Sequence, residues 1–416
     1  MPLAEGVSRS IRYKAYASAT ITANALAVSA TDLATTGGQI LRRVSSSLKL
    51  AKDTYQSAEI RTDRQIADFR HGVKRATGSI TGELSPATWF DFFEASCRGT
   101  KSAATITASE ADFTSIVGAA STSNFTLTGG DPVTKGFRIG DVIRFSNLSV
   151  AGNNATNFLI TGFSGASNRI IAVFPAPLDQ VSDAAFNVAS VGKTIFVPSS
   201  SFVSRKFGIE QYSVDTDTTQ LFTECRCGGF TLQLPATGMA TIEVPFMGRD
   251  MENLSGANAP FFTAPTAETT TGIIAAVNGL LQVNGVTQGV VTAAQIRFDL
   301  NPSSDGVVGQ NFVPEIFLGR ANVSGQLTAF FQDNTLIDQF KNESSVGVLL
   351  YLTATSAVNA PAMTIWIPKI KFGDAAINTQ GEGGQSITMP FQALKGDATL
   401  PGDLATTIRI TDTEAT

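Results

Sequence analysis

The chain repeats itself, and a tandem repeat limits the possible folds more than any single motif does. Residues 75–96 parallel residues 320–342, with Ile80-Thr81-Gly82-Glu83-Leu84 matched by Val323-Ser324-Gly325-Gln326-Leu327. Each stretch alternates like a strand and then takes the spacing of a short amphipathic helix: Trp89, Phe92 and Phe93 in one copy, Leu336 and Phe340 in the other. Further on, residues 241–250 parallel residues 386–397, and both strands carry Pro-Phe. Ile80, Leu84, Trp89, Phe92 and Phe93, with Val323, Leu327, Leu336 and Phe340, are therefore the expected sheet–helix core. Two related units in one chain can fill neighbouring positions of a ring, so that three chains close a pseudo-sixfold ring through head-to-tail contacts. An ordinary fusion forming a monomer is the other reading of the repeat.

Composition narrows the chemistry. Three Cys among 416 residues exclude a disulfide-stapled module, and 43% hydrophobic with 16% charged residues excludes a disordered chain. The net charge of -5 disfavours a general nucleic-acid binder. A single His, His71, leaves no His-rich metal site. Cys225 and Cys227 flank one residue, which is not zinc-knuckle spacing, and they read with Cys97 as buried thiols. The N-terminus lacks the basic-then-apolar pattern of a secretory signal, and no apolar run reaches about 18 residues. The expectation is a soluble protein made in a cytoplasm.

Along the chain, residues 1–40 read as an arm of Ser, Thr and Ala, with regular structure expected from Ile40-Leu41. Residues 41–123 and 201–252 form a first β domain. Ser85 and Pro86 fit a helix start and Gly99 a helix stop. Residues 124–200, with Gly-rich turns between short apolar strands, read as an inserted small all-β barrel-like domain facing outward. Residues 253–272 are a Pro/Ala/Thr linker, and residues 273–416 form the second β domain. The fold class is mainly β: two tandem sandwich or barrel domains, each with a short flanking helix, plus the insertion.

Residues 52–72 are the most charged stretch. Between Arg42 and Arg75 nine Lys/Arg face four Asp/Glu inside an acidic protein. The stretch reads as a long protruding loop or hairpin, and long loops in compact domains are usually functional. Its mixed charges with interspersed apolar residues suit a protein interface better than phosphate contact. Lys52, Tyr55, Glu59, Arg61, Asp63, Arg64, Asp68, Phe69, Arg70 and His71 are the residues expected to make it. No nucleophile elbow, phosphate-binding loop or zinc-protease motif is present, and carboxylates interleaved with Arg stay ionised, so neither an enzyme nor a cofactor or metal site is expected.

Residues 40–99, above all SAEIRTDRQIADFRHG followed by GSITGELSP, resemble the N-terminal part of the major tail tube proteins of tailed bacteriophages, and residues 229–250 resemble a later strand pair of that family. The resemblance implies a structural virion protein. Its rings stack into a tube, assembled in the host cytoplasm, whose lumen conducts double-stranded DNA at ejection without specific binding. Residues 52–72 would be the stacking loop. The partners implied are further copies of the chain, tail terminator, tail tip or baseplate proteins, and the tape measure protein inside the lumen. An acidic lumen would repel phosphates. The alternative is a virion surface or connector protein, with glycan binding through the inserted domain.

Overall fold

The computed structural model describes residues 5–17, 33–102, 105–275, 278–288, 291–378, 384–397 and 405–416. The first half contributes Arg9–Ala15 (β1), Gln39–Ile40 (β2), Ser45–Ser46 (β3), Lys49–Gln56 (β4), Phe69–Glu83 (β5) and the helix Phe90–Cys97 (α1). Next come Thr107–Ser109 (β6), Ser115–Ala119 (β7), Asn124–Thr128 (β8), the one-turn helix Pro132–Lys135 (α2), Val142–Ser146 (β9), Phe158–Ser164 (β10), Ile170–Phe174 (β11), Gln180–Asp183 (β12) and Asn187–Ser190 (β13). The first half resumes with Lys193–Phe196 (β14), Phe207–Ser213 (β15), Thr218–Cys227 (β16), Gly229–Pro235 (β17), Thr241–Gly248 (β18) and Asp250–Ser255 (β19). The second half has Gly279–Val283 (β20), Val286–Thr287 (β21), Val291–Asp299 (β22), Asn322–Phe330 (β23), the helix Thr335–Lys341 (α3), Val346–Thr353 (β24), Ala362–Phe372 (β25), Ala376–Asn378 (β26), Ser386–Leu394 (β27) and Arg409–Asp412 (β28). Regular structure thus begins at Arg9, well before Ile40. Strand β1 is held because Ile11 and Tyr13 are buried and its backbone pairs with β15.

The molecule is a β-sandwich built around one central sheet. Its order is β3/β4–β5–β18–β17–β22–β23–β27–β26, antiparallel throughout. Behind the first half lies β2–β1–β15–β16–β19, and behind the second lies β21–β20–β24–β25–β28–β14. Alternation decides which side of the central sheet is dry: Ile242, Val244 and Phe246 of β18, like Ile387, Met389 and Phe391 of β27, all point into the core. The long strands β16 and β25 join the layers. Their N-terminal parts pair in the rear sheets, and their last residues pair with β18 and β27.

The two halves repeat one pairing plan, register for register. Cys227 lies opposite Phe246 and Arg226 opposite Met247; Phe372 lies opposite Phe391 and Lys371 opposite Gln392. The bulge between Phe207 and Ile209 recurs between Val346 and Val348. The Pro-Phe motif gains a reason here. At Pro245 one edge of β18 changes partner from β17 to β16, and at Pro390 β27 changes from β26 to β25. Each proline carbonyl accepts a 2.8 Å bond from Gly228 or Gly373, so the missing N–H faces an interruption where no ladder bond is lost.

The register corrects the repeat read from sequence. Gly78 lies opposite Phe246 and Gly325 opposite Phe391, which makes Gly78 the counterpart of Gly325 and Ile80 that of Leu327. The sequence match had set Gly82 against Gly325 and Ile80 against Val323, four residues away. A slip by an even number keeps the same residues inside, so alternation cannot distinguish the two alignments.

Helix α1 plugs the first half. Phe92 meets Tyr13, Phe207 and Phe246 at ring separations of 4.7, 5.3 and 5.2 Å, and Phe93 meets Phe230 at 4.8 Å. Ile80, Leu84, Trp89, Val323 and Leu327 share the same core. The helix starts at Phe90 rather than after Ser85, whose hydroxyl bonds Thr88 instead while Ala87 takes φ 66°. Arg98, not Gly99, adopts the left-handed conformation at its end; Gly99 is needed because a Cβ there would lie 2.6 Å from the Phe196 carbonyl oxygen. In α3, by contrast, Leu336 and Phe340 are only partly buried. The three cysteines are free and buried, and desolvation raises all three thiols.

The eight strands β6 to β13 form a separate sheet, in the order β12–β7–β8–β11–β10–β9–β13–β6, around its own aromatic core of Phe113, Phe125, Phe145, Phe158 and Phe186. It begins at Thr107, because the Ala/Ser/Thr stretch ahead of residue 124 supplies β6 and β7, and β14 already belongs to a rear sheet. It sits behind the second half. Val142 and Leu159 pack on Leu349, Tyr351 and Trp366, and buried Asp141 pairs with buried Arg409.

Two outcomes test this packing. Phe92→Ala should cost about 3–5 kcal/mol in denaturant unfolding, while Phe340→Ala on the half-buried helix should cost under about 2 kcal/mol. Burial pushes the Asp412 carboxyl up to about 6, although the N–H groups of Ala87 and Glu414 favour its carboxylate. A raised folded-state value means that its contribution is present at low pH and lost as pH rises through 6. Asp412→Asn should therefore gain stability relative to the parent protein between about pH 4 and pH 7, read from unfolding curves at each pH.

Candidate assembly interfaces

Strands β4 and β5 outrun the rest of the central sheet and form a hairpin with a tip at residues 57–68. Lys52 and Tyr55 stand on one arm, Phe69, Arg70 and His71 on the other, and Glu59, Arg61, Asp63, Arg64 and Asp68 in the tip. The charged stretch picked out in the sequence is thus one projecting element, and every residue from 58 to 71 is exposed. The tip's charges pair locally: Arg61 lies 3.7 Å from Glu59 and 3.4 Å from Asp63, and Arg70 donates to Asp68 at 2.7 Å. That last bond holds the Asp68 carboxyl below its ordinary value. Arg64, at φ 55°, closes a turn on the Arg61 carbonyl and has no ion pair among the described residues. His71 stands edge-on to Phe69 at 5.4 Å. Ile60 is 99% exposed and Ile66 67%, so the tip offers apolar side chains that the subunit itself leaves uncovered.

The corresponding connection in the second half, residues 300–321, does not project. Its Asn311 carbonyl accepts from the Lys74 N–H at 2.9 Å, Val313 and Ile316 are buried, and Phe312 lies under the Arg249 guanidinium at 4.5 Å. Glu315 reaches Lys206 at 3.0 Å and Arg226 at 3.1 Å. Lys206 also meets Glu224 at 3.0 Å, and Glu224 meets Arg249 at 2.8 Å. This ionic cluster, in which Lys206, Glu224 and Arg249 are buried and Glu315 half-buried, ties the connection to the first half. Nothing in the sequence announced it, because its members come from distant segments. Each chain therefore carries one projecting hairpin for two equivalent positions.

The central sheet joins its halves through seven consecutive residue pairs between β17 and β22, from Gly229 opposite Asp299 to Pro235 opposite Ala293. Among the described residues, the counterpart of β17 is β26, which pairs with β27 only, and the counterpart of β22 is β3–β4, which pairs with β5 only. Both outer edges are unpaired among the described residues. Residues 376–378 are exposed there, as are Val44, Ser45, Ser47 and Lys49. The short β26 was not foreseen from the sequence. Among the described residues no group of three or more His, Cys, Asp or Glu could hold a metal ion.

A family model described as phage tail tube protein matches residues 10–393, a span that covers both halves, the hairpin and the inserted sheet. No curated protein matches the chain.

The hairpin's exposure sets an expectation for its tip. Arg64→Glu should change subunit stability by less than about 0.5 kcal/mol, as should replacing residues 57–68 by a tight turn. Both should reduce the length of any assembly seen by electron microscopy, with the truncation acting more strongly. Assemblies of unchanged length in both variants would remove the hairpin from the interface.

Proposed function

The chain belongs to the phage tail tube family, and from that premise we propose that three copies close head-to-tail into a ring, that rings stack into a tube, and that DNA crosses the tube at ejection. The observation that carries this reading is the seam between the halves. What β17 does for β22 inside one chain, β26 can do for β3–β4 of the next copy. Transferring the register of the seam puts Ala376 opposite Lys49 and Asn378 opposite Ser47 of the neighbouring copy. Unpaired sheet edges are otherwise a standing hazard for aggregation, and ring closure removes both.

The stagger supports an open bore. A row of partners from Glu83 runs through Thr241, Gln233 and Gln295 to Gln326, whereas the counterpart of Gln326 is Ser79. The register therefore advances by four residues across four strands. With ordinary strand spacing and rise, that stagger tilts the strands by roughly 35°, within the range of closed barrels. Three chains of eight strands then give a backbone radius of about 20 Å and, after side chains, a bore of roughly 30 Å. That is wider than a B-form duplex. The hairpin projects from one end and would reach the next ring. The inserted sheet lies behind the rear sheet, so it would decorate the outside. Terminator, tip or baseplate and tape measure proteins are the further partners of such a tube.

Cysteines at Lys49 and Ala376 test the seam, because directly opposed residues of antiparallel strands lie within disulfide reach. Oxidised Lys49→Cys/Ala376→Cys protein should run as covalent dimers and closed trimers with no larger species, and micrographs should show stacked rings. A protein that stays monomeric at high concentration and does not cross-link would overturn the ring.

A further inference from the structure

The central sheet has one face in the core and one in solvent, and the solvent face has an unusual composition. Opposed residues in antiparallel strands share a face. Ser79, Thr231, Gln233, Gln295, Gln326 and Thr328 all lie on the solvent side in its middle band, where Thr231 stands between Glu243 and Arg297. Among the described residues, the charges on this face are Lys49, Arg75 and Arg297 against Asp53, Glu83, Glu243 and Asp299, and the last residues of β16 and β25 add Arg226, which meets Glu315, Lys371, which meets Glu343, and Lys369. Arg75 is paired with Asp53 and Arg297 with Asp299. The chain as a whole carries -5, so its acidic excess lies elsewhere.

We propose that this face is the wall of the bore and that it passes duplex DNA along a charge-balanced layer of hydroxyls, amides and paired ions rather than repelling it from an acidic one. The inference rests on the ring reading above. The ring closes through the edges of the central sheet, and α1, the rear sheets and the inserted sheet all stand on its other side. The wider side of a closed sheet is the outside, so that bulk must lie outside and the bare face inside. The Ser, Thr and Gln carry no cation, and Arg75, Arg226, Arg297 and Lys371 are each paired with a carboxylate, so few cations are left to capture a phosphate and release counterions, which is the term that makes DNA adhere. Its hydroxyls and amides bond equally well to water, so a moving polyanion meets no lasting partner. Glu83 and Glu243 lie toward the strand ends that lead into α1, while Lys49, Arg75 and the Lys49 counterpart Arg297 lie toward the hairpin together with Asp53 and Asp299.

The test uses assembled tubes of the full chain. Thr231→Cys should react with a small maleimide in subunits and tubes alike, but with a bulky polymer-linked maleimide at least tenfold more slowly in tubes. Equal bulky labelling in tubes would overturn the wall assignment, whereas failure of the parent protein to form rings would overturn the ring reading instead. Gln326→Lys, with Thr231→Lys as a second variant should the first not assemble, should retain a short linear duplex DNA in a salt-sensitive way that the parent tubes do not. Parent tubes that already retain the duplex, or lysine tubes that ignore it, would overturn the charge-balanced-wall mechanism.

Discussion

Backbone pairing between β17 and β22 is the contact on which the rest of the structure depends. It makes one eight-stranded sheet out of two four-stranded halves, and it shows what the edge of each half can accept. Phe230 and Phe298 stack across it at 5.3 Å, so the hydrogen-bonded seam is also continuous with the core. A sheet must end somewhere, and an exposed edge invites another strand. Among the described residues the same seam that satisfies two edges leaves two equivalent ones unpaired. Membership of the tail tube family gives those edges a natural destination.

The halves share a pairing plan but diverge in what is attached to it. At one connection the first half projects a charged hairpin, while the second folds its connection down onto Lys206, Arg226 and Arg249. Removing one partner from such a largely buried network leaves an uncompensated charge, which is costly, so the arrangement fixes the connection in place. The inserted sheet leaves the chain after α1 of the first half yet rests on the rear sheet of the second. Each divergence ties one half to the other.

Much of the hairpin was legible because its signal is local. Lys52 to His71 lie in one continuous run, and charge with sparse apolar residues shows in composition alone. The core residues Ile80, Leu84, Trp89, Phe92 and Phe93 were legible for the same reason: period-two and helical spacings are read within a few residues. Helix boundaries were less so. Ser85 and Pro86 look like a helix start, but tertiary contacts at Ala87, including the bond to Asp412, delay it to Phe90. The inserted sheet was recognised but placed late, since Ala, Ser and Thr in β6 and β7 carry little apolar signal.

The amino-acid sequence alone determined that this is a duplicated, mainly β chain with a charged projecting segment and a shared aromatic core, because these properties follow from composition and short-range periodicity. Only the tertiary structure decided the register of the duplication, the position of the two open edges, and the ionic cluster around Glu224 and Glu315. Alternation is unchanged by a four-residue slip. An edge exists only once every other pairing is known. Lys206 and Glu315, 109 residues apart, become partners only when the chain has folded.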